Sequence, residues 1–201
     1  MLVSIISLLI AITIHEYSHS LAADRLGDPT PRSLGRLSLN PLRHLDPIGT
    51  LFLFIAGFGW GKPVPIDPYN FRQPRRDELL VALAGPGSNI ILALLFAVVY
   101  RLFPSPDLFL YFYSFIFTNL ALAFFNLLPI PPLDGSQIFL NLLSPDQSHQ
   151  WRQALSRYGY LILFLLLFIR VGSSSLLNLI IYFPTRFFLS LFLGQYLPSF
   201  I

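Results

Sequence analysis

Charged side chains are scarce in this sequence. Only 11% of its 201 residues are Asp, Glu, Lys or Arg, whereas 54% are hydrophobic. A soluble domain carries about 25% charged residues, so this chain has too few to cover a water-soluble globule and is not an ordinary cytosolic enzyme. Its apolar content is equally incompatible with a disordered chain. The composition that remains is that of a protein that crosses a membrane several times.

Cysteine is absent, which excludes disulfide bonds and thiolate metal sites. The formal net charge is only +3 and the cations are dispersed, so a nucleic-acid-binding surface is not expected. A length of 201 residues corresponds to one domain, without room for a large soluble module beside the membrane core. Residues able to carry out chemistry are correspondingly few, with only four His in the whole chain.

Five apolar runs predict membrane-spanning helices, so the expected fold is an all-α polytopic membrane protein. We expect Gly85-Pro86-Gly87 to break the second helix early and Pro184 to kink the last one. The expected spans are residues 1–23, 79–103, 108–128, 158–169 and 176–193.

Two shorter segments complete the predicted fold. Residues 48–60 form an apolar run of 13 residues, too short to cross a bilayer, which favours a re-entrant or interfacial element. Residues 36–40 alternate between polar and apolar side chains, which predicts a short membrane-associated β-strand. The edge of such a strand could pair with an unwound substrate, or the strand could belong to a simple interfacial hairpin.

The distribution of cations predicts which helix ends face the cytoplasm. Eight of the 13 Lys and Arg residues lie within 24–78, on both sides of the short apolar run. The positive-inside rule places both flanks in the cytoplasm, which supports the re-entrant interpretation. The first helix then runs from outside to inside, and the helix over 108–128 returns inside. The end of the first helix and the region around Asp134 are therefore expected on the cytoplasmic side of a cell membrane.

The first predicted helix contains the motif His15-Glu16-Tyr17-Ser18-His19. Positions i and i+4 share a helix face, so both imidazoles can bind one metal ion. Imidazoles suit Zn²⁺, and a third protein ligand leaves one position for a water whose pKa the metal lowers to about 7. Glu16 can take a proton from that water and pass it to a leaving amine. Two merely hydrogen-bonded His residues are the alternative, disfavoured because ionisable groups in an apolar span are costly.

Asp134 is the candidate for the third metal ligand. Most acidic residues lie in polar loops, whereas Glu16 and Asp134 have strongly apolar surroundings. The predicted topology also places Asp134 on the same side of the membrane as the two His residues. An ordinary turn residue in a Leu-Asp-Gly bend is the alternative.

Four separated motifs, within about residues 8–143, resemble the site-2 proteases, which are intramembrane zinc metalloproteases. The H-E-Y-S-H motif resembles the zinc helix of this family, and residues 126–135 resemble its N-x-x-P-x-P-x-L-D-G segment. Residues 85–89 resemble its G-x-x-x-N element. Residues 35–50 and 59–65 resemble the membrane-associated loop of its small bacterial members.

The resemblance implies that His15, His19 and Asp134 bind zinc and that Asn126 lies beside the active site. The family's PDZ and CBS modules do not fit within this length, so regulation by such modules is not expected.

Three further polar residues are candidates for substrate or oxyanion support. Asn126 and Asn89 could donate hydrogen bonds to a developing oxyanion or to substrate backbone, although hydrogen bonds between helices are the ordinary use of such residues. His44 could assist substrate binding or proton transfer. A turn His bonded to Asp46 is the alternative for that position.

These observations predict a single membrane-embedded metalloprotease domain over 1–201, with a catalytic core at about 1–143 and C-terminal helices over 151–201. We expect one Zn²⁺ per chain and hydrolysis of a peptide bond within or near a transmembrane segment. The expected partners are the lipid bilayer and a membrane-protein substrate with a single span or a peptide-like segment.

Two other functions compete with this prediction. A non-catalytic zinc-binding membrane protein or a metal-ion transporter would leave Glu16 without a role. A transporter would also need polar groups on several facing spans, and the predicted spans carry few. An inactive scaffold is disfavoured because His15, Glu16, His19 and Asp134 are all present.

Overall fold

The computed structural model describes residues 2–49 and 61–194 and is predominantly helical within them. The described segments between the longer helices contain a one-turn helix at Thr30–Ser33 and 3₁₀ turns at Pro41–Arg43, Pro68–Asn70 and Pro106–Leu108. The six longer helices are α1 (Leu2–Leu26), α2 (Pro74–Leu102), α3 (Phe109–Asn126), α4 (Asp134–Leu142), α5 (Pro145–Phe168) and α6 (Leu176–Leu193).

The predicted class, an all-α polytopic membrane protein, is confirmed. Within the described residues, four helices are long and apolar enough to cross a membrane: Leu2–Leu26, Pro74–Leu102, Pro106–Asn126 and Leu176–Leu193. The fifth expected span, 158–169, is the apolar second half of α5. It is not among the candidate spans because the first half of α5 is polar.

The expected break in the second helix does not occur, because α2 continues through Gly85-Pro86-Gly87. Pro184 lies within α6, which continues to Leu193. Proline is tolerated inside such helices because side chains and neighbouring helices compensate for the lost backbone hydrogen bond.

The predicted strand over 36–40 is wrong: these residues form no strand. Alternation requires side chains on two opposite faces, but Arg36 is only 5% exposed and turns inward. Its guanidinium donates to the carbonyls of Arg43, Lys62 and Pro63, which folds the segment into a compact loop.

The β structure lies elsewhere in the described chain. Strands β1 (Arg170–Val171) and β2 (Ser174–Ser175) form an antiparallel hairpin in which Arg170 lies opposite Ser175. A single antiparallel bridge joins Leu45 to Gly61. The expected re-entrant element over 48–60 lies outside the described residues except for 48–49.

The apolar core lies where α2, α3 and α6 meet. Two small residues of α2, Ala93 and Ala97, lie one turn apart and are buried. Small residues allow membrane helices to approach closely. The complete cluster is Ala93, Ala97, Tyr100, Ile116, Leu120, Leu189, Phe192 and Leu193.

Asp28 fastens two polar loops to each other. Its buried carboxylate accepts hydrogen bonds from the Thr30 amide and hydroxyl, the Asp67 amide and the Asn70 side chain, at 3.0, 2.5, 2.9 and 2.8 Å. Burial alone would raise the pKa of Asp28, but these hydrogen bonds hold it below its usual range. The loop that follows α1 is thereby joined to the loop that precedes α2.

Candidate metal centre

Helix α1 presents two imidazoles on one buried face. His15 and His19 lie one turn apart and are 5% and 6% exposed. Their Nε2 atoms are 3.0 Å apart, so the two rings converge on a common point. This is the arrangement expected from i and i+4 spacing on a helix.

Asp134 completes a triangle of ligand atoms. Its Oδ2 lies 3.1 Å from Nε2 of His15 and 3.2 Å from Nε2 of His19. Zinc ligands at about 2.0–2.1 Å in a tetrahedron are separated by about 3.3 Å, close to these distances. The three residues therefore fit a tetrahedral zinc ion with its fourth position open.

The other nitrogen of each imidazole is held by an oxygen atom. Nδ1 of His15 lies 2.7 Å from Oδ1 of Asn89, and Nδ1 of His19 lies 2.7 Å from the carbonyl oxygen of Val81. Since these oxygens only accept hydrogen bonds, each Nδ1 donates its hydrogen. The lone pair of each Nε2 is then directed toward the triangle, as a metal ligand requires.

Gly85 lets α2 pack directly against the imidazoles. A Cβ atom at this position would lie 2.3 Å from Nε2 of His19 and 2.7 Å from Cε1 of His15. Nonbonded heavy atoms do not approach each other this closely in a packed protein interior. The glycine is therefore required by the close approach of backbone to the site, rather than by a helix break.

A tight fold-back brings Asp134 to the imidazoles. Helix α3 ends at Asn126, and α4 begins at Asp134 itself after a turn that contains a cis Pro131–Pro132 bond. Gly135 packs against the end of α3, where a Cβ would lie 2.3 Å from the carbonyl oxygens of Leu127 and Leu128. This packing fixes the start of α4 and therefore the carboxylate.

Asp134 is held in its charged form. Burial would raise its pKa, but when the imidazoles are protonated on both nitrogens, the charge of His19 and the hydrogen bonds from both rings hold the pKa of Asp134 well below its usual range. A carboxylate must be deprotonated to bind a metal. The electrostatic environment therefore suits a metal ligand.

Glu16 lies beside the triangle on α1. Its carboxylate faces the loop at Gly61, where a Cβ would lie 3.6 Å from Oε1. Among the described residues its side chain forms no hydrogen bond or ion pair, and it is only partly buried. A carboxylate in this condition is available to accept a proton.

The other three predicted residues have different surroundings. Asn89 is fully buried against His15, and both of its amide hydrogens are donated, to the carbonyl of Ala11 and to Oδ1 of Asn119. Asn126 is partly buried at the end of α3, where it donates to the carbonyl of Leu122 at 3.0 Å. A contact between Asn89 and substrate would require one of its present hydrogen bonds to break.

His44 is fully buried and lies 2.6 Å, through Nε2, from the carbonyl oxygen of Ser38. It does not pair with Asp46, whose carboxylate accepts from the Gly49 amide. His44 therefore holds the loop around it together.

Several residues around the site were not identified from the sequence. The carbonyl of Val81 has no side-chain signature, so no pattern could have revealed it. Asn119 is a polar residue within an apolar run, which was a usable signal. Arg36 was interpreted as part of a strand, although it braces the loop that faces Glu16.

Three relatives share most of this chain. It is 41% identical over 175 residues to YwhC of Bacillus subtilis strain 168, covering 82% of this chain and 79% of the relative. Rip2 of Mycolicibacterium smegmatis is 33% identical over 79% of this chain and 64% of the relative. Rip2 of Mycobacterium tuberculosis strain Erdman is 35% identical over 69% of this chain and 56% of the relative. The chain thus spans less than two thirds of each Rip2 protein. All three names contain the words zinc metalloprotease.

The sequence profile of peptidase family M50 matches residues 105–169, which include Asn126 and Asp134. No solved structure matches the chain. The extensive identity to YwhC and the profile match agree with the convergence of two His and one Asp. This chain therefore belongs to peptidase family M50, the site-2 protease family, and is a zinc metalloprotease.

Proposed function

We propose that this protein is an intramembrane endopeptidase whose zinc is held by His15, His19 and Asp134. The observation that carries the proposal is the triangle of two imidazole nitrogens and one carboxylate oxygen with sides of 3.0–3.2 Å. Two of its three members lie on α1, a helix long and apolar enough to span a membrane.

Each residue of the proposed site has a separate role in hydrolysis. Zinc, when bound, polarises the scissile carbonyl and lowers the pKa of a water molecule. Glu16 takes a proton from the attacking water and later delivers it to the leaving amine. Asn126 has one amide hydrogen beyond its bond to Leu122, and we assign that hydrogen to the substrate backbone or oxyanion. Asn89 acts by holding His15.

The proposed substrate is a membrane protein with a single span or a peptide-like segment. A helical segment hides its scissile carbonyls in i to i−4 hydrogen bonds, so it must unwind before Glu16 and its water can reach them. Two of the three proposed zinc ligands lie within α1, a helix long and apolar enough to span a membrane. Peptide bonds within or next to a membrane segment are therefore the ones within reach of the site.

We place the active site on the cytoplasmic side of a cell membrane. The cation-rich segment 24–78 runs from the last turn of α1 to the first turn of α2, on the side where His19 and Asp134 meet. The positive-inside rule assigns that side to the cytoplasm.

The two glutamates of the chain provide a matched experiment. Wild type, Glu16→Gln, Glu78→Gln and Asp134→Ala are reconstituted in liposomes with a tagged single-span test substrate. Bound zinc and cleavage products are then measured. Glu78 is the control because it lies on α2 and accepts a hydrogen bond from Asn141, away from the triangle.

We expect Glu16→Gln to retain one zinc per chain and to lose cleavage by about 10²–10⁴-fold. Asp134→Ala should lose both bound zinc and cleavage, whereas Glu78→Gln should match wild type in zinc content and in cleavage. Wild-type cleavage by Glu16→Gln would refute the mechanism. Zinc flux that survives Glu16→Gln, without cleavage by wild type, would instead indicate a transporter.

A further inference from the structure

A buried chain of hydrogen bonds connects His15 to α3. Oδ1 of Asn89 accepts from Nδ1 of His15 at 2.7 Å, and Nδ2 of Asn89 donates to Oδ1 of Asn119 at 2.9 Å. Nδ2 of Asn119 in turn donates to the carbonyl of Phe115 at 2.8 Å. Asn89 and Asn119 both have no exposed surface. The chain thus links α1, α2 and α3 without contact with water.

The orientation of the Asn119 amide is set by its own helix. The carbonyl of Phe115 can only accept a hydrogen bond, so the NH₂ group of Asn119 must face it. The amide oxygen of Asn119 then necessarily points toward Asn89. A reversed amide would place two acceptors 2.8 Å apart in a buried environment, which is costly.

The orientation of the Asn89 amide follows from that of Asn119. Two oxygens, Oδ1 of Asn119 and the carbonyl of Ala11, lie 2.9 and 3.0 Å from Nδ2 of Asn89. Both can only accept hydrogen bonds, so the NH₂ group of Asn89 must face them and donate one hydrogen to each. Its remaining oxygen must therefore face Nδ1 of His15.

We propose that Asn119 is a positioning residue for the metal site, acting through Asn89 on His15. It keeps the oxygen of Asn89 toward Nδ1 of His15, so that the hydrogen of the imidazole stays on Nδ1 and the Nε2 lone pair points to the metal. This inference depends on the proposed role of His15 as a zinc ligand. Partners of metal-binding imidazoles contribute about 10–100-fold to metal affinity.

A second polar contact of α3 joins it to α1 without reaching the metal site. The hydroxyls of Ser7 on α1 and Ser114 on α3 lie 3.3 Å apart. Ser7 also donates to the carbonyl of Val3, and the pair does not reach the imidazoles. It is therefore a matched control for the loss of a polar group between helices.

The experiment measures zinc affinity by competition with a chelator, independently of proteolysis. The variants are Asn89→Leu, Asn119→Leu, Asn119→Ala and Ser114→Ala, each alone, and Asn119→Leu and Asn119→Ala each combined with Asn89→Leu. We expect both single Asn119 variants to bind zinc about tenfold more weakly, whereas Ser114→Ala should bind like wild type. Because Asn119 acts through Asn89, either change should add little to the loss in Asn89→Leu, whereas an effect of Asn119 that is independent of Asn89 would add to it in full.

Unchanged zinc affinity in a folded Asn119 variant would overturn the inference. The inference would also be overturned if an Asn119 substitution lowered zinc affinity by the same factor in the Asn89→Leu protein as in wild type. His15→Ala separates this result from failure of the proposed function. If His15→Ala retains zinc, the ligand assignment fails, whereas loss of zinc in His15→Ala with no effect at Asn119 refutes only the positioning role.

Discussion

At the scale of single residues, Gly85 gives the sharpest test of how the imidazoles are packed. A Cβ there would lie 2.3 Å from Nε2 of His19, so Gly85→Ala must displace a ring or the α2 backbone. Overpacking of this kind costs about 1–3 kcal/mol, and tenfold in affinity corresponds to about 1.4 kcal/mol. We predict that Gly85→Ala weakens zinc binding about tenfold or more, measured by chelator competition.

Gly87 provides the control on the same helix. Among the residues that the structure describes, no heavy atom lies within 4 Å of a Cβ at Gly87, and alanine is favoured over glycine within a helix by about 0.5–1 kcal/mol. Gly87→Ala should therefore keep wild-type zinc affinity and unfold at the same or a higher temperature. Equal zinc affinity in the two alanine variants would contradict the packing described for Gly85.

The ligand residues could be predicted from the sequence because ionisable groups are so few in its apolar segments. His15 and His19 have the helical spacing of a metal pair, and Asp134 was the remaining embedded acid. Their assignment as ligands stays a prediction, although the geometry supports it. The partners of the imidazoles could not be predicted in this way. Val81 contributes a backbone carbonyl without a side-chain signature, and Asn89, which contacts His15, was predicted as substrate support instead.

At the scale of elements, Asp28 connects the loop after α1 to the loop before α2. Its carboxylate accepts four hydrogen bonds, and its pKa is lower in the folded protein than its usual value. A lowered pKa contributes stability above the unfolded value of about 3.9, and this contribution is lost as pH falls through the lowered pKa. Acidification should therefore release the loops.

We predict that Asp28→Asn lowers the free energy of unfolding at pH 7 by about 1–3 kcal/mol, because buried donors lose their acceptor. The difference from wild type should shrink as pH falls below about 4. Thermal unfolding in detergent at several pH values measures it, with the exposed Asp107→Asn as control. A difference that stays constant down to pH 2, or one that grows on acidification, would contradict this account.

The helices were predictable as elements, but their interruptions were not. Apolar runs long enough to cross a bilayer identified α1, α2, α3 and α6. Gly85-Pro86-Gly87 suggested a break in α2, because a sequence does not show which neighbours compensate for a missing hydrogen bond. The strand over 36–40 failed because alternation alone does not show that Arg36 is buried among loop carbonyls.

At the scale of the whole molecule, four elements converge on one point from different parts of the chain. Helix α1 supplies the imidazoles, α2 their oxygen partners and the close approach at Gly85, α3 the residue Asn119, and α4 the carboxylate. The site is therefore a property of the assembled bundle. Its orientation in the membrane rests on the positive-inside rule.

The absence of cysteine makes that orientation directly testable, because any introduced thiol is unique. Ser33, Asp107 and Gln150 are exposed positions in three different loops or helix starts. We predict that a membrane-impermeant maleimide labels Asp107→Cys in intact cells. Ser33→Cys and Gln150→Cys should react only after the membrane is opened. Labelling of Ser33→Cys in intact cells would place the site on the outer side instead.

The most direct test of the central claim is the zinc X-ray absorption spectrum of the purified protein, compared with that of Asp134→Ala. We predict two imidazole nitrogens at about 2.0–2.1 Å and a carboxylate oxygen at about 2.0–2.2 Å in wild type. Asp134→Ala should lose the metal or the oxygen contribution of that carboxylate. An Asp134→Ala protein that retains full zinc with an unchanged spectrum would contradict the assignment of His15, His19 and Asp134 as the metal centre.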